Sequence, residues 1–202
     1  MDQFDFSGDD VVAYAKRLLG MTIESNCGGE FTSAIIVETE AYKAPDDKGS
    51  HAYGNRRTNR TEVMFGPSGY SYVYLCYGIH HLFNVVTGPE GAAHAILIRA
   101  VEPLEGIGVM KKRRKVKKHS SLTNGPGKWT QAMGITTAHN NLPLTEGDLI
   151  TLQSGQSFQQ EQIIASPRVG IAYAMECAFW PWRFRIKNNP YTSLPKEVSY
   201  EM

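Results

Sequence analysis

Cysteine is scarce in this chain. The three present, Cys27, Cys76 and Cys177, stand far apart and form no C-x-x-C pair. That argues against a zinc site built from thiolates, and an odd, sparse count argues against a disulfide framework and for a reducing compartment. Long apolar runs are also missing. A membrane span needs about 20 such residues, and the run Ala95 to Ile98 is only strand-sized, so no membrane association is expected. The start of the chain, residues 1–6, is acidic and has no apolar stretch of secretory type. The six histidines show neither H-x-x-x-H nor H-E-x-x-H spacing, so a metal site is not expected.

Charge of one sign is lacking as well. Twenty-one Lys and Arg against twenty Asp and Glu leave a net charge of +1, which excludes a generic polyanion binder. The distribution is less even. Lys111, Lys112, Arg113, Arg114, Lys115, Lys117 and Lys118 hold 7 of the 21 basic residues within eight positions. Such a run is a solvated face, a phosphate-contacting patch or, more weakly, a nuclear-targeting signal. With 202 residues, 42% hydrophobic and 20% charged, the chain suits one globular domain spanning 1–202.

What is present centres on Ile36-Val37-Glu38-Thr39-Glu40-Ala41-Tyr42. Strand alternation puts Glu38, Glu40 and Tyr42 on one face, beside apolar residues. A carboxylate there is costly unless paired, hydrogen-bonded or used. Taken alone, the stretch also fits a solvated edge strand with salt bridges.

Upstream, Val11 to Leu19 has helical periodicity between Asp caps and Gly20. Met21 to Glu24 and Phe31 to Tyr42 read as paired strands around an Asn26-to-Gly29 turn. Lys43 to Thr61 is a long polar loop carrying His51, Arg56, Arg57 and Arg60, and such a loop in a compact domain is functional or disordered. Tyr70 to Val86 reads as a hairpin turning near Gly78, with Tyr72 and Tyr74 on one face and Tyr77 at the tip. Packing gives no reason for an aromatic there. Asn84 sits in an apolar strand, where an amide needs partners. Ala95 to Ile98 leads into Arg99, which needs an acidic partner at the end of a buried strand. A helix is expected from Leu104 to Lys112 and another from Lys128 to Met133. Strands are expected at Asp148 to Leu152 and Ile163 to Ala165. The pattern is that of an α+β domain around a curved antiparallel sheet or roll, with flanking helices and a protruding hairpin.

In their order, these stretches resemble the alkyladenine (3-methyladenine, methylpurine) DNA glycosylases. The resemblance is carried by Val37-Glu38-Thr39-Glu40-Ala41-Tyr42, Met64-Phe65-Gly66, Tyr72-Val73-Tyr74-Leu75-Cys76-Tyr77-Gly78, Asn84, Leu97 to Pro103, Gly125-Pro126-Gly127-Lys128, Arg168-Val169-Gly170 and Trp182-Arg183-Phe184. It implies a monofunctional base-excision enzyme acting on double-stranded DNA with damaged purines, as a monomer, in the cytoplasm or nucleoid of a bacterium or the nucleus of a eukaryote. It implies that Glu40 prepares the attacking water and that Arg99 helps bind it, with Val101 expected to supply a backbone carbonyl. Tyr42, His51 and Tyr74 would line the base pocket, Asn84 would exclude guanine, and Tyr77 would intercalate. Arg57, Arg60, Lys112, Arg113 and Arg114 are candidates for the DNA backbone. Three features depart from the pattern: Asn59, Trp129 and the dense basic run.

The chemistry suits these residue types. A base inside a duplex must be turned out to be reached. A carboxylate beside an oxocarbenium-like sugar stabilises its charge and takes a proton from water. Aromatic walls favour a cationic, alkylated base. Two alternatives stand beside this reading. One is a non-catalytic nucleic-acid-binding module. The other is a glycoside hydrolase using Glu38 and Glu40, disfavoured because carboxylates on one side of one strand cannot flank a bond.

Overall fold

The computed structural model describes residues 4–116 and 118–197; Lys117 of the basic run and residues 1–3 fall outside it. Asp10 caps the first helix, α1 (Val11–Arg17), by accepting from the Ala13 amide at 2.9 Å. Strands β1 (Thr22–Ser25) and β2 (Thr32–Lys43) follow, then a hairpin of β3 (Ser71–Cys76) and β4 (His80–Thr87). Next come β5 (His94–Glu105), α2 (Ile107–Arg114) and α3 (Pro126–Met133). Strands β6 (Ile150–Gln153), β7 (Ile163–Ser166) and β8 (Arg183–Ile186) close the chain.

The strands form one antiparallel sheet in the order β3-β4-β5-β2-β1-β6, and β8 joins the C-terminal half of β2 and carries β7. β2 thus shares one edge between two partners, β1 at Thr32–Ile35 and β8 at Glu38–Glu40. The result is a single compact domain with a curled, half-barrel sheet, an α+β architecture as expected. Its main core holds Ala15, Leu18, Ile36, Val37, Phe83, Ile98, Trp129 and Phe184, all buried. Trp129, a departure from the family pattern, lies in this core. Its indole Nε1–H donates to the Ile98 carbonyl at 2.9 Å and its ring meets Phe83 edge-on at 5.5 Å.

Three expectations shift. β5 does not end near Ile98 but runs to Glu105, so the helix expected from Leu104 begins at Ile107. Pro103 is tolerated because the ladder slips there: Ser33 pairs with Glu105 and Ala34 with Pro103, leaving Leu104 without a partner. Gly106 ends the strand at φ +70, where a Cβ would lie 2.4 Å from the Phe31 carbonyl oxygen. The polar loop after β2 is folded rather than structureless. It holds short 3-10 turns at Tyr53–Asn55 and Glu62–Phe65 and a Gly54 amide to Pro45 carbonyl bond of 2.8 Å.

The third shift concerns the centre of the sheet. Ile36 pairs with Val101, Glu38 with Ala100 and Thr39 with Ile98, so Val37 on β2 and Arg99 on β5 are extra residues on either side of Glu38. A paired bulge of this kind bends both strands and re-aims their side chains.

Candidate active site

Glu38 and Glu40 lie two residues apart on β2 and reach the same guanidinium. Arg99 donates from Nε to Glu38 Oε1 at 3.1 Å and from a terminal nitrogen to Glu40 Oε2 at 3.2 Å. Both carboxylates are fully buried and Arg99 nearly so. Glu38 is further held by Arg183 Nε at 2.7 Å and by the Ser193 amide and hydroxyl. Burial pushes its pKa up, but Arg99, Arg183 and Ser193 outweigh that and leave it below the usual carboxylate range. Burial alone would lower the pKa of Arg99, yet Glu40 and Glu38 raise it, so it is a permanent cation.

Glu40 has partners on both oxygens. Oε1 accepts the Val169 amide at 2.8 Å, and Oε2 accepts the Tyr42 hydroxyl at 2.8 Å as well as Arg99. Tyr42 must stay protonated to donate. Burial first, and Glu40 second, push its pKa well above the ordinary phenol value. Behind the Tyr42 ring sits Arg168, 4.6 Å from its centroid and buried, held by Asp47 at 2.5 and 2.7 Å.

Tyr42, Arg99, Val169 and Ser193 face a cavity of about 770 Å³, and the two carboxylates, fully buried, lie behind its wall. Tyr42, His51, Tyr74, Asn84 and Arg99 all line it, as does Tyr77. His51 meets Tyr74 edge-on at 4.7 Å, and its Nδ1 is 2.8 Å from the Tyr72 hydroxyl. Burial, with a contribution from Arg60, lowers the His51 pKa to about 4, so the ring is neutral at pH 7. Asn84 donates its Nδ2 to the Tyr72 carbonyl at 3.0 Å, which fixes the orientation of the amide.

Tyr77 stands apart from the packed walls. The Ile79 amide bonds to the Cys76 carbonyl at 3.2 Å, closing a turn whose central residues, Tyr77 and Gly78, have φ of +50 and +73. This is the type I′ geometry that suits the twist of a hairpin, although it is strained for an aromatic residue. Tyr77 is 91% exposed, with Ile79 and Leu75 also exposed beside it.

Not every expected residue reaches the site. Val101 is buried, its carbonyl accepts from the Thr123 hydroxyl at 2.5 Å, and it does not line the cavity. A different backbone group, the Val169 amide, meets Glu40 itself. The Arg168-Val169-Gly170 stretch stands out in the sequence, yet nothing local there reveals contact with Glu40, 129 residues away. Tyr173, exposed at the rim, and Ser193 also went unassigned. Among the backbone candidates, Arg60 stacks on Tyr74 at 4.5 Å and lines the cavity. Arg57 stacks on Phe65 and pairs with Glu62. Arg113 turns inward to the carbonyls of Cys27 and Ala132. Arg114 reaches Leu122 and Gln131, and Lys112 is exposed. No group of three or more His, Cys, Asp or Glu side chains that could hold a metal occurs among the described residues. No helix among them is long and apolar enough to cross a membrane.

An aromatic-walled cavity with a few convergent polar groups, backed by a buried carboxylate engaged on both oxygens, is the layout of a site that takes in a planar group. Comparison with known proteins assigns this class to a family. The family model for methylpurine-DNA glycosylase (MPG) matches residues 5–190. A protein of Bacillus cytotoxicus (strain NVH 391-98), "Putative 3-methyladenine DNA glycosylase", is 45% identical over 198 residues, covering 93% of this chain and 97% of its own. Relatives of the same name in Bacillus cereus (strain G9842) and Bacillus anthracis (strain A0248) are 45% and 44% identical over 197 residues, each covering 93% of this chain and 96% of its own. The chain belongs to the methylpurine-DNA glycosylase family, and its activity is that of a DNA glycosylase for alkylated bases.

Proposed function

We propose that this chain turns damaged purines, alkylated or deaminated, out of double-stranded DNA and hydrolyses the N-glycosidic bond, leaving an abasic site without cutting the strand. The observation that carries the reading is the Glu40 carboxylate. It is buried, oriented by Val169, Tyr42 and Arg99, and set directly behind the wall that these three partners give to a cavity also lined by Tyr74 and His51.

As the C1′–N bond breaks, positive charge develops on the sugar. A fixed carboxylate stabilises it and accepts a proton from the attacking water. Arg99 and Tyr42 orient Glu40, and the carboxylate carries the negative charge that the transition state needs. Tyr77, exposed at the hairpin tip, is suited to fill the gap left in the stack. A strand-cutting lyase needs an amine nucleophile. The one lysine on the cavity wall, among the described residues, is Lys128, whose Nζ bonds to Asn124 at 2.9 Å. The chain acts as a monomer and needs no metal or other cofactor.

The decisive test is single-turnover release of base in EDTA from duplexes carrying hypoxanthine, 7-methylguanine or no lesion. The native chain should release damaged bases. Glu40→Gln should lose release while still binding the lesion duplex. Equal binding to damaged and intact DNA with no release from either would leave a non-catalytic binding module as the better account.

A further inference from the structure

We propose that the buried pair Asp47 and Arg168 positions the excision machinery: it fixes the Tyr42 hydroxyl and the Val169 amide on Glu40 and so sets the aim of that carboxylate. The proposal rests on the glycosylase reading above and adds two residues that do not themselves line the cavity. Both side chains are fully buried, and the two terminal nitrogens of Arg168 meet the two Asp47 oxygens at 2.5 and 2.7 Å. Neither partner stops there. Arg168 also donates to the Ala41 carbonyl at 2.8 Å and to the Cys177 carbonyl at 3.1 Å. Asp47 also accepts the Gly49 amide at 2.8 Å and the Lys43 amide at 3.3 Å. A Cβ on Gly49 would lie 3.1 Å from both Arg168 and Asp47, so the loop closes on the pair without slack. One ion pair thus ties together the end of β2, the loop that carries His51, and the segment from Arg168 to Cys177.

Two of these stretches supply groups that hold Glu40. The end of β2 brings Tyr42, whose ring lies against the Arg168 guanidinium at 4.6 Å, and the third stretch brings Val169, the next residue after Arg168. Stability alone does not account for the arrangement. Desolvating two charges costs about as much as their attraction returns, and well-packed apolar residues often serve a fold equally well. What apolar residues cannot supply is direction. A rigid guanidinium fork engaged on four acceptor oxygens holds β2 and residue 169 in one relative position. A misplacement of about 1 Å in reacting groups costs on the order of a hundredfold in rate. Neither Asp47 nor Arg168 meets the substrate; both act through Tyr42, Val169 and Glu40.

The test uses whichever of the hypoxanthine and 7-methylguanine duplexes the native chain cleaves faster. Single-turnover release, with enzyme in saturating excess, is measured for the native chain, Arg168→Lys, Asp47→Asn and the double replacement Asp47→Leu with Arg168→Met. Melting temperature and lesion-duplex affinity are measured for each. Saturating excess makes the rate constant insensitive to a moderate loss of folded protein, which is all that a purely structural role would cause. Each folded variant should bind the lesion duplex within about threefold of the native chain and release base about tenfold to a hundredfold more slowly. The double replacement should melt no lower than either single variant. A cycle with Tyr42→Phe, which removes the hydroxyl but keeps the ring, gives a second readout. In that background Arg168→Lys should cost at least about threefold less than in the native chain, whereas independent sites would keep the cost within about twofold. A native rate constant in the folded double replacement overturns the proposal, as does full additivity with Tyr42→Phe. Failure of all three variants to fold also overturns it, because the pair would then hold the domain together. Release of neither base by the native chain is a different outcome, which sinks the glycosylase reading and this proposal with it.

Discussion

Tyr42 and Glu40, two residues apart on β2, are joined by a 2.8 Å hydrogen bond in which the phenol donates to the carboxylate oxygen that Arg99 also reaches. A phenol facing a carboxylate on the same strand face has no route to that bond except alternation. Tyr42→Phe keeps the ring against Arg168 but removes the donor. A hydrogen bond to a charged group contributes about 1.5–3 kcal/mol. Single-turnover excision should therefore fall by about tenfold to a hundredfold, at a small cost in melting temperature. A loss confined to substrate binding, with an unchanged single-turnover rate, would show that the bond does not orient Glu40.

Glu38 and Glu40 should separate cleanly in stability. Removing one partner of a buried ion pair costs about 3–5 kcal/mol, and Glu38 is the partner of both Arg99 and Arg183. Glu38→Gln should shift the urea midpoint strongly, whereas Glu40→Gln should mainly abolish chemistry. The acid limb follows from the same ion pairs. Because the folded-state pKa of Glu38 lies below its unfolded value, its contribution is complete above that value, near 4.5, and is lost as the pH falls through the lower, folded one. Urea titrations of native protein and Glu38→Gln below pH 4.5 should therefore converge.

At the hairpin tip, stability and function should move apart. Tyr77 holds φ +50, a conformation costing a non-glycine residue about 1–2 kcal/mol. Tyr77→Gly should leave the melting temperature unchanged or raised. Discrimination between lesion and intact duplex, measured by fluorescence anisotropy, should fall by about fivefold to about a hundredfold, since base–aromatic stacking contributes about 1–3 kcal/mol. A drop in melting temperature with discrimination intact would mean that Tyr77 is a packing residue.

The basic run should divide in the same way. Lys112 is exposed, and Lys112→Ala should weaken binding to all duplexes alike and reduce the salt slope by about one. Arg113 ties α2 to the carbonyls of Cys27 and Ala132. Arg113→Ala should lower the unfolding midpoint and leave the salt slope nearly unchanged. The reverse pattern would place Arg113 on DNA.

The sequence exposed the elements whose signals are local. Asp10 announces α1, Gly134 ends α3, and the alternation of Glu38, Glu40 and Tyr42 survives in the structure. What stayed hidden depends on partners distant along the chain. The bulge at Val37 and Arg99 is a property of two strands together, so alternation along either one cannot reveal it. Val101, expected to offer its carbonyl to the water, turns that carbonyl to the Thr123 hydroxyl, while the Val169 amide that meets Glu40 comes from a stretch 129 residues away. Arg57, Arg60 and Arg113 are candidates for the DNA backbone in sequence, and the packing contacts they make had no local signal. In the fold, long side chains stack on Phe65 and Tyr74 or reach back to carbonyls.

Glu40 is hydrogen-bonded in register to β5 on one side, opposite Leu97, and to β8 on the other, opposite Arg183. Tyr77 hangs from β3, the last strand of the sheet on its own side. On the proposed function, the group that must not move is anchored in the middle of the sheet, and the group proposed to probe a duplex is carried on its rim. In time rather than space, this is a division between slow and fast. Amide exchange at Glu40 should wait for opening of the whole domain, whereas the turn at Tyr77 opens and closes many times within that interval.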